Sequence, residues 1–179
     1  PDPDPIVDEL PVHVQLTWDT EQTDLDIHVA HSAAGVDSRQ PDLDGDGLPD
    51  PWLHGIYDCN WRNKNPDWGA AGLLNDPAED IDDTAGFGPE NINLETPEAD
   101  VEYRVGVRYY EDAATEGPTT ATVRIYVGGE LLAEFSQVLS NKKDMWEVAT
   151  ISGAGVVTEV LPGGEPKITP GYSPGEAFP

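Results

Sequence analysis

The chain has 179 residues, enough for one core of moderate size with extended ends. Asp and Glu number 35 against 9 Lys and Arg, a formal charge of −26 that makes nucleic acid and anionic membranes poor partners and bound cations good ones. The single cysteine, Cys59, excludes an internal disulfide, and no apolar run approaches the roughly 18 residues of a membrane span.

The opening residues 1–11, PDPDPIVDELP, combine proline with acid and read as an extended arm or linker. They lack the features of a signal peptide, so on an exported protein that signal has already been removed. From Val12 the dominant period is two. Val12, Val14, Leu16 and Trp18 alternate with His13, Gln15 and Thr17, the pattern of a strand with one buried face. Leu25, Ile27 and Val29 repeat it against Asp24, Asp26 and His28. A polar segment rich in Asp, Asn, Gly, Pro and Trp then runs from Ala33 to Gly88. A loop of that length needs something to order it, and the carboxylates make metal the first candidate.

Alternation resumes over Val101 to Tyr109 and over Thr120 to Val127. Gly128-Gly129 supplies a tight turn into a strand from Leu131 to Val138. Strands over Met145 to Ile151 and Val156 to Leu161 complete the set. No window carries a capped helical stripe, so the expected fold is all-β: an antiparallel β-sandwich over 12–161, with a metal-ordered insertion at 33–88. The tail 162–179 is read as a Pro/Gly-rich spacer without regular structure.

The clearest chemical motif is Asp42-Leu-Asp-Gly-Asp-Gly-Leu-Pro-Asp50. Asp42, Asp44, Asp46 and Asp50 stand at relative positions 1, 3, 5 and 9, the Leu48 carbonyl is available at 7, and Gly47 at 6 permits the sharp turn. Alternate oxygens then point inward around a calcium ion. Leu53 stands where an EF-hand places its bidentate Glu, and no helix flanks the loop. A second constellation is split, with Asp19, Asp24 and Asp26 near one strand and Asp80, Asp82, Asp83, Glu90 and Asn91 before another. Hard oxygen donors without clustered His or Cys favour calcium over zinc or copper. The bland reading of most other carboxylates is a solvated, salt-adapted surface.

Trp52, Tyr57, Trp61 and Trp68, interleaved with Asn60, Asn63 and Asn65, read either as a platform for stacking sugars or as a small core built by the long loop itself. No Ser sits in a nucleophile elbow, the four His lack metal spacing, and acid pairs are too abundant here to indicate a hydrolase. The chain is therefore read as non-enzymatic.

The segments LTWDT, TDLDIHV, NPDWG, DIDDTAGFGPENINL and YRVGVRYYEDA, with GPTTATVRIYVGGEL, resemble the YfaP-type bacterial secreted domains of unknown function, over roughly Val12 to Leu132. More distantly they are similar to the TerD-type β-sandwich, in which a DLD motif and a later acidic segment bind calcium. That resemblance implies Asp24, Asp26, Asp80, Asp82 and Glu90 as ligands. The loop at 42–50 is similar instead to the short calcium loops of dockerins and thrombospondin-type repeats, inserted into the pattern.

Together these features predict a secreted or cell-surface calcium-binding module for adhesion or assembly, including as the repeating subunit of a secreted fibre, whose partners are copies of itself or matrix components. The alternative is calcium-dependent glycan binding through the Trp52 to Trp68 loop; a polysaccharide hydrolase is the third reading.

Overall fold

The computed structural model describes residues 11–69, 75–84, 86–110 and 117–174. Of the arm at 1–11, residues 1–10 lie outside them. Among the described residues eleven strands form two antiparallel sheets: β1 (Val12–Trp18), β2 (Leu25–His31), β3 (Asp58–Cys59), β4 (Ala78–Glu79), β5 (Glu90–Leu94), β6 (Glu102–Tyr109), β7 (Thr119–Val127), β8 (Glu130–Leu139), β9 (Met145–Ser152), β10 (Val157–Glu159) and β11 (Lys167–Thr169). One sheet has the order β4-β5-β1-β7-β8 and the other β10-β9-β6-β2-β3, with β11 also on β9. The chain is thus a β-sandwich.

The alternation in the sequence dictates the core. Val12, Val14, Leu16 and Trp18 of β1 are buried with Val123 and Ile125 of β7, and they pack on Ile27, Val29, Val105 and Val107 of the facing sheet. In the first sheet the other alternate residues stay half-exposed, as in a sheet with one solvated face. The second sheet differs, because β2 is buried on both faces almost throughout.

Two segments cover that second face. From the insertion, Trp52 and Leu53 join Ala30, Met145 and Tyr172 in a second apolar cluster. From the tail, the Tyr172 N–H donates to Lys143 O at 2.6 Å and its hydroxyl to Trp52 O at 3.4 Å. The spacer reading of 162–179 is therefore corrected over its described part: Lys167–Thr169 pairs with Met145 to Glu147, and Tyr172 is 1% exposed. Pro166 and Pro170 flank this strand without interrupting its ladder.

The insertion likewise contains regular structure. β3 extends the second sheet beside Val29 and Ala30, and β4 extends the first beside Ile92 and Asn93. Both lie on the same flank of the sandwich, which brings acidic residues from four elements together.

Gly106 lets the cover lie close. A Cβ there would stand 2.5 Å from Met145 Cε and 2.8 Å from two ring carbons of Trp52. Gly106→Ala is expected to destabilise the protein by about 1–3 kcal/mol through overpacking, measured by urea unfolding.

Candidate metal centre

The flank where β4 and β5 meet β2 and β3 is an acidic seam. Glu90 is on the inner face of β5, opposite Leu16, and is 1% exposed. Its carboxylate accepts from the Ile27 N–H at 2.8 Å and the Asp83 N–H at 3.1 Å. β3 reaches only Val29 and Ala30, so Ile27 lies on a stretch of β2 whose open edge the Glu90 side chain fills. Asp26 and Asp82 converge on the same point, with one carboxylate oxygen from each of Asp26, Asp82 and Glu90 within 4.8 Å of the others. Oxygens bound to one calcium at about 2.4 Å stand at most about 4.8 Å apart, so the three fit a single coordination sphere.

Charge around this point is poorly balanced. Asp24, Asp26 and Glu79 are buried; among the described residues Asp24 Oδ1 and Asp26 Oδ2 accept no hydrogen bond, and Glu79 has only a long contact to Lys64. Lys64 Nζ stands 3.5 Å from Glu79 and 3.7 Å from Asp82, and Arg108 is in register with Asp26 across β2 and β6. Burial and the neighbouring Asp82 push the Asp24 carboxyl up to about 6. Burial raises Glu79 to about 7 against the opposing pull of Lys64, and it holds Asp26 and Glu90 well above the usual carboxylate range.

Of the residues the sequence put forward for this site, Asp24, Asp26, Asp82 and Glu90 come together. Asp80 turns away and accepts from Asn93 Nδ2 at 3.1 Å. Glu79, which sequence reasoning missed, faces inward instead, because β4 places it beside Ile92. Asp19 lies apart and accepts from the Thr120 N–H at 2.7 Å.

The aspartate loop is organised differently. Asp42, Asp44 and Asp46 also bring carboxylate oxygens within 4.8 Å of one another. Asp42 accepts from the Gly45 and Gly47 N–H groups at 2.8 and 3.0 Å, Asp44 from Asp46, and Asp46 from Leu48. Gly45 and Gly47 hold φ of 76° and 88°, which only glycine adopts cheaply. Asp50 is 3% exposed, accepts from the Leu43 N–H at 2.7 Å, and is raised to about 6 by burial. Here a cation is already built in: Lys167 Nζ stands 2.6 Å from Asp44, 3.1 Å from Asp46 and 2.9 Å from Glu147. The strand β11 that carries Lys167 is thus tied to the loop.

The aromatic residues separate. Trp68 is fully buried, stacks on Tyr103 with centroids 5.9 Å apart, and donates its indole N–H to Ile56 O at 2.8 Å. Trp52 is 3% exposed under the cover. Tyr57 is half-buried against His31 and His54, and Trp61 lines a cleft. A common stacking platform is not formed, because the loop uses two of its tryptophans as core.

No family model matches the chain, and no curated protein matches it. A solved structure described as "unknown function protein SAV2460" is similar to it, with a TM-score of 0.49 and 20% identity, covering 89% of this chain and 88% of that one.

The raised carboxyls give the metal-free protein a definite pH dependence. The folded state holds protons that the unfolded chain releases near pH 4, so this contribution to stability is present at low pH and lost as pH rises through about 6 to 7. The thermal midpoint in chelator is expected to fall by about 5 °C or more between pH 5 and pH 8, read by circular dichroism. At the loop, Lys167→Met leaves Asp44, Asp46 and Glu147 without their ammonium. It is expected to cost about 1–3 kcal/mol in chelator, with a larger recovery on adding calcium than the parent chain shows.

Proposed function

We propose that this chain is a non-catalytic, calcium-binding β-sandwich module of the cell exterior that serves adhesion or assembly. The observation that carries the reading is the acidic seam. Taking an unpaired carboxylate out of water costs several kcal/mol, and the seam buries Asp24, Asp26, Glu79 and Glu90 with Lys64 and Arg108 as the cations beside it among the described residues. A divalent cation held by Asp26, Asp82 and Glu90, with Asp24 and Glu79 completing its field, removes that cost. All-oxygen donors suit calcium, which accepts 6 to 8 oxygens in flexible geometry, better than magnesium. The resemblance to YfaP-type and TerD-type domains belongs to the same reading. Asp80 departs from the ligand set that resemblance implies, and Glu79 takes its place.

In this mechanism the ion does ordering rather than chemistry. It neutralises the seam, fixes the segment between β4 and β5, and so stabilises the flank where the two sheets meet. The aspartate loop is a second calcium candidate, in which an ion competes with Lys167 for Asp44 and Asp46.

Thermal unfolding with millimolar calcium and with chelator, at matched ionic strength, tests the proposal. Calcium at about 100 times its dissociation constant adds about 2.7 kcal/mol, so the midpoint should rise by about 5–10 °C. Growth in particle size by light scattering in the same samples supports assembly; an unchanged midpoint with a monodisperse monomer overturns both the calcium and the assembly readings.

A further inference from the structure

At the end of the first sheet remote from the acidic seam, β8 leaves one edge open. It is the outermost strand there and pairs only with β7 among the described residues. At ten residues it is the longest strand described, whereas β3 and β4, which end the sheets on the seam side, have two residues each, and β10 has three. Proteins that keep such an edge solitary shorten it or place Lys or Pro on it. β8, ELLAEFSQVL, carries neither. Ile125 pairs with Ala133 and Tyr126 with Leu131, so Leu132 is a bulge and the regular ladder of β8 covers 133–139.

The composition of this edge departs from that of the chain. Leu131, Leu132 and Val138 are exposed, and Phe135 is half-buried at the margin of the core. Glu134 is the one acid in residues 131–143, and its carboxylate already accepts from Arg124 Nε at 2.7 Å. A chain with 35 acidic residues against 9 basic ones repels its own copies over most of its surface, which confines contact between copies to a place where carboxylates are few. Charge along the strand is also graded: β8 begins at Glu130 and is followed by Lys142 and Lys143. Two copies laid antiparallel bring the acidic start of each toward the basic end of the other.

We propose that β8 pairs antiparallel with β8 of a second copy about a two-fold axis, joining the first sheet of one chain to the same sheet of the other. An axis perpendicular to the sheet keeps the inner faces of both copies on one side and leaves few registers. The register centred on Ser136 is the one that pairs the whole ladder 133–139. Ser136 then faces Ser136 of the second copy, Glu134 faces Val138, Phe135 faces Gln137, and Ala133 faces Leu139. Like charges do not meet in it, whereas a register centred on Glu134 sets the two carboxylates against each other. The proposal rests on the assembly half of the function proposed above, for which it names partner and surface, and it uses no residue of the metal centre.

Sedimentation velocity of the full chain at rising concentration tests the pairing, in calcium and in chelator, each with salt enough to screen a charge of −26. A monomer–dimer equilibrium is expected in both buffers. Two variants then fix the register, because each adds one positive charge at an exposed position of β8. Ser136→Lys sets two ammonium groups face to face across the axis and should weaken the dimer at least about tenfold. Val138→Lys sets an ammonium opposite Glu134 of the other copy and should leave the dimer as tight as the parent's or tighter. Both variants should keep the parent's thermal midpoint in dilute solution, where the chain is monomeric. A monomer at every concentration in both buffers overturns the proposal together with the assembly reading, and leaves the edge to a strand of another protein. A dimer or larger particle that the two variants weaken alike, or that neither changes, overturns the β8 pairing alone and leaves assembly through another surface standing.

Discussion

The carboxylate of Glu90 is the interaction on which the rest of this fold depends. It belongs to β5 in one sheet and bonds the backbone of Ile27 in the other, while its second oxygen holds Asp83 in the segment between β4 and β5. A buried backbone N–H without a partner is costly, and β3 is too short to pair with Ile27. An inward-facing acid at this position thus closes the open edge of β2. The same choice places a negative charge beside Asp26, and that conflict makes the seam a cation site. Site and scaffold are therefore one problem: the residue that joins the sheets is also the one that demands an ion.

The two acidic constellations differ in what already satisfies them. In the aspartate loop, backbone N–H groups take one set of oxygens and the Lys167 ammonium takes another. An ion arriving there must displace a tethered charge, and with it loosen the attachment of β11 to the loop. In the seam Asp24 Oδ1 and Asp26 Oδ2 have no such donors among the described residues, and Glu79 has only the longer contact to Lys64. An ion arriving there only relieves repulsion. The motif with the stronger spacing signal is thus the one with less to gain from metal, because spacing reports on loop geometry whereas burial reports on energy.

Strands with clear alternation were legible from the sequence: β1 and β2 lie where the period-two pattern places them, and the Gly128-Gly129 turn separates β7 from β8. The two-residue strands β3 and β4 carry no period, and their pairing is set by the partner strands. That register decides Glu79 against Asp80. Neighbouring residues of a strand point to opposite faces, so pairing Glu79 with Ile92 turns Glu79 inward and Asp80 out. A run of adjacent acids gives no hint of which one will be buried. Composition is equally silent about Trp52 and Trp68, since a flat apolar ring serves a sugar platform or a core alike; only the approach of Gly106 and Tyr103 assigns them to the core.

The asymmetry between the two sheets determines where function can reside. The outer face of the first sheet is solvated and internally paired, with His13 bonded to Asn93, Gln15 to Asn91 and Thr122 to Ser136. The outer face of the second is roofed by the insertion and the tail, under which His28 and Asp58 form a fully buried pair at 2.7 Å. Asp58 also accepts from the Leu53 N–H, so this pair anchors the roof to β2 and β3. The seam lies at one margin of that roof, and Lys167 ties its tail to the aspartate loop. A cation bound at either place acts on the layer that also forms the cleft lined by Trp61.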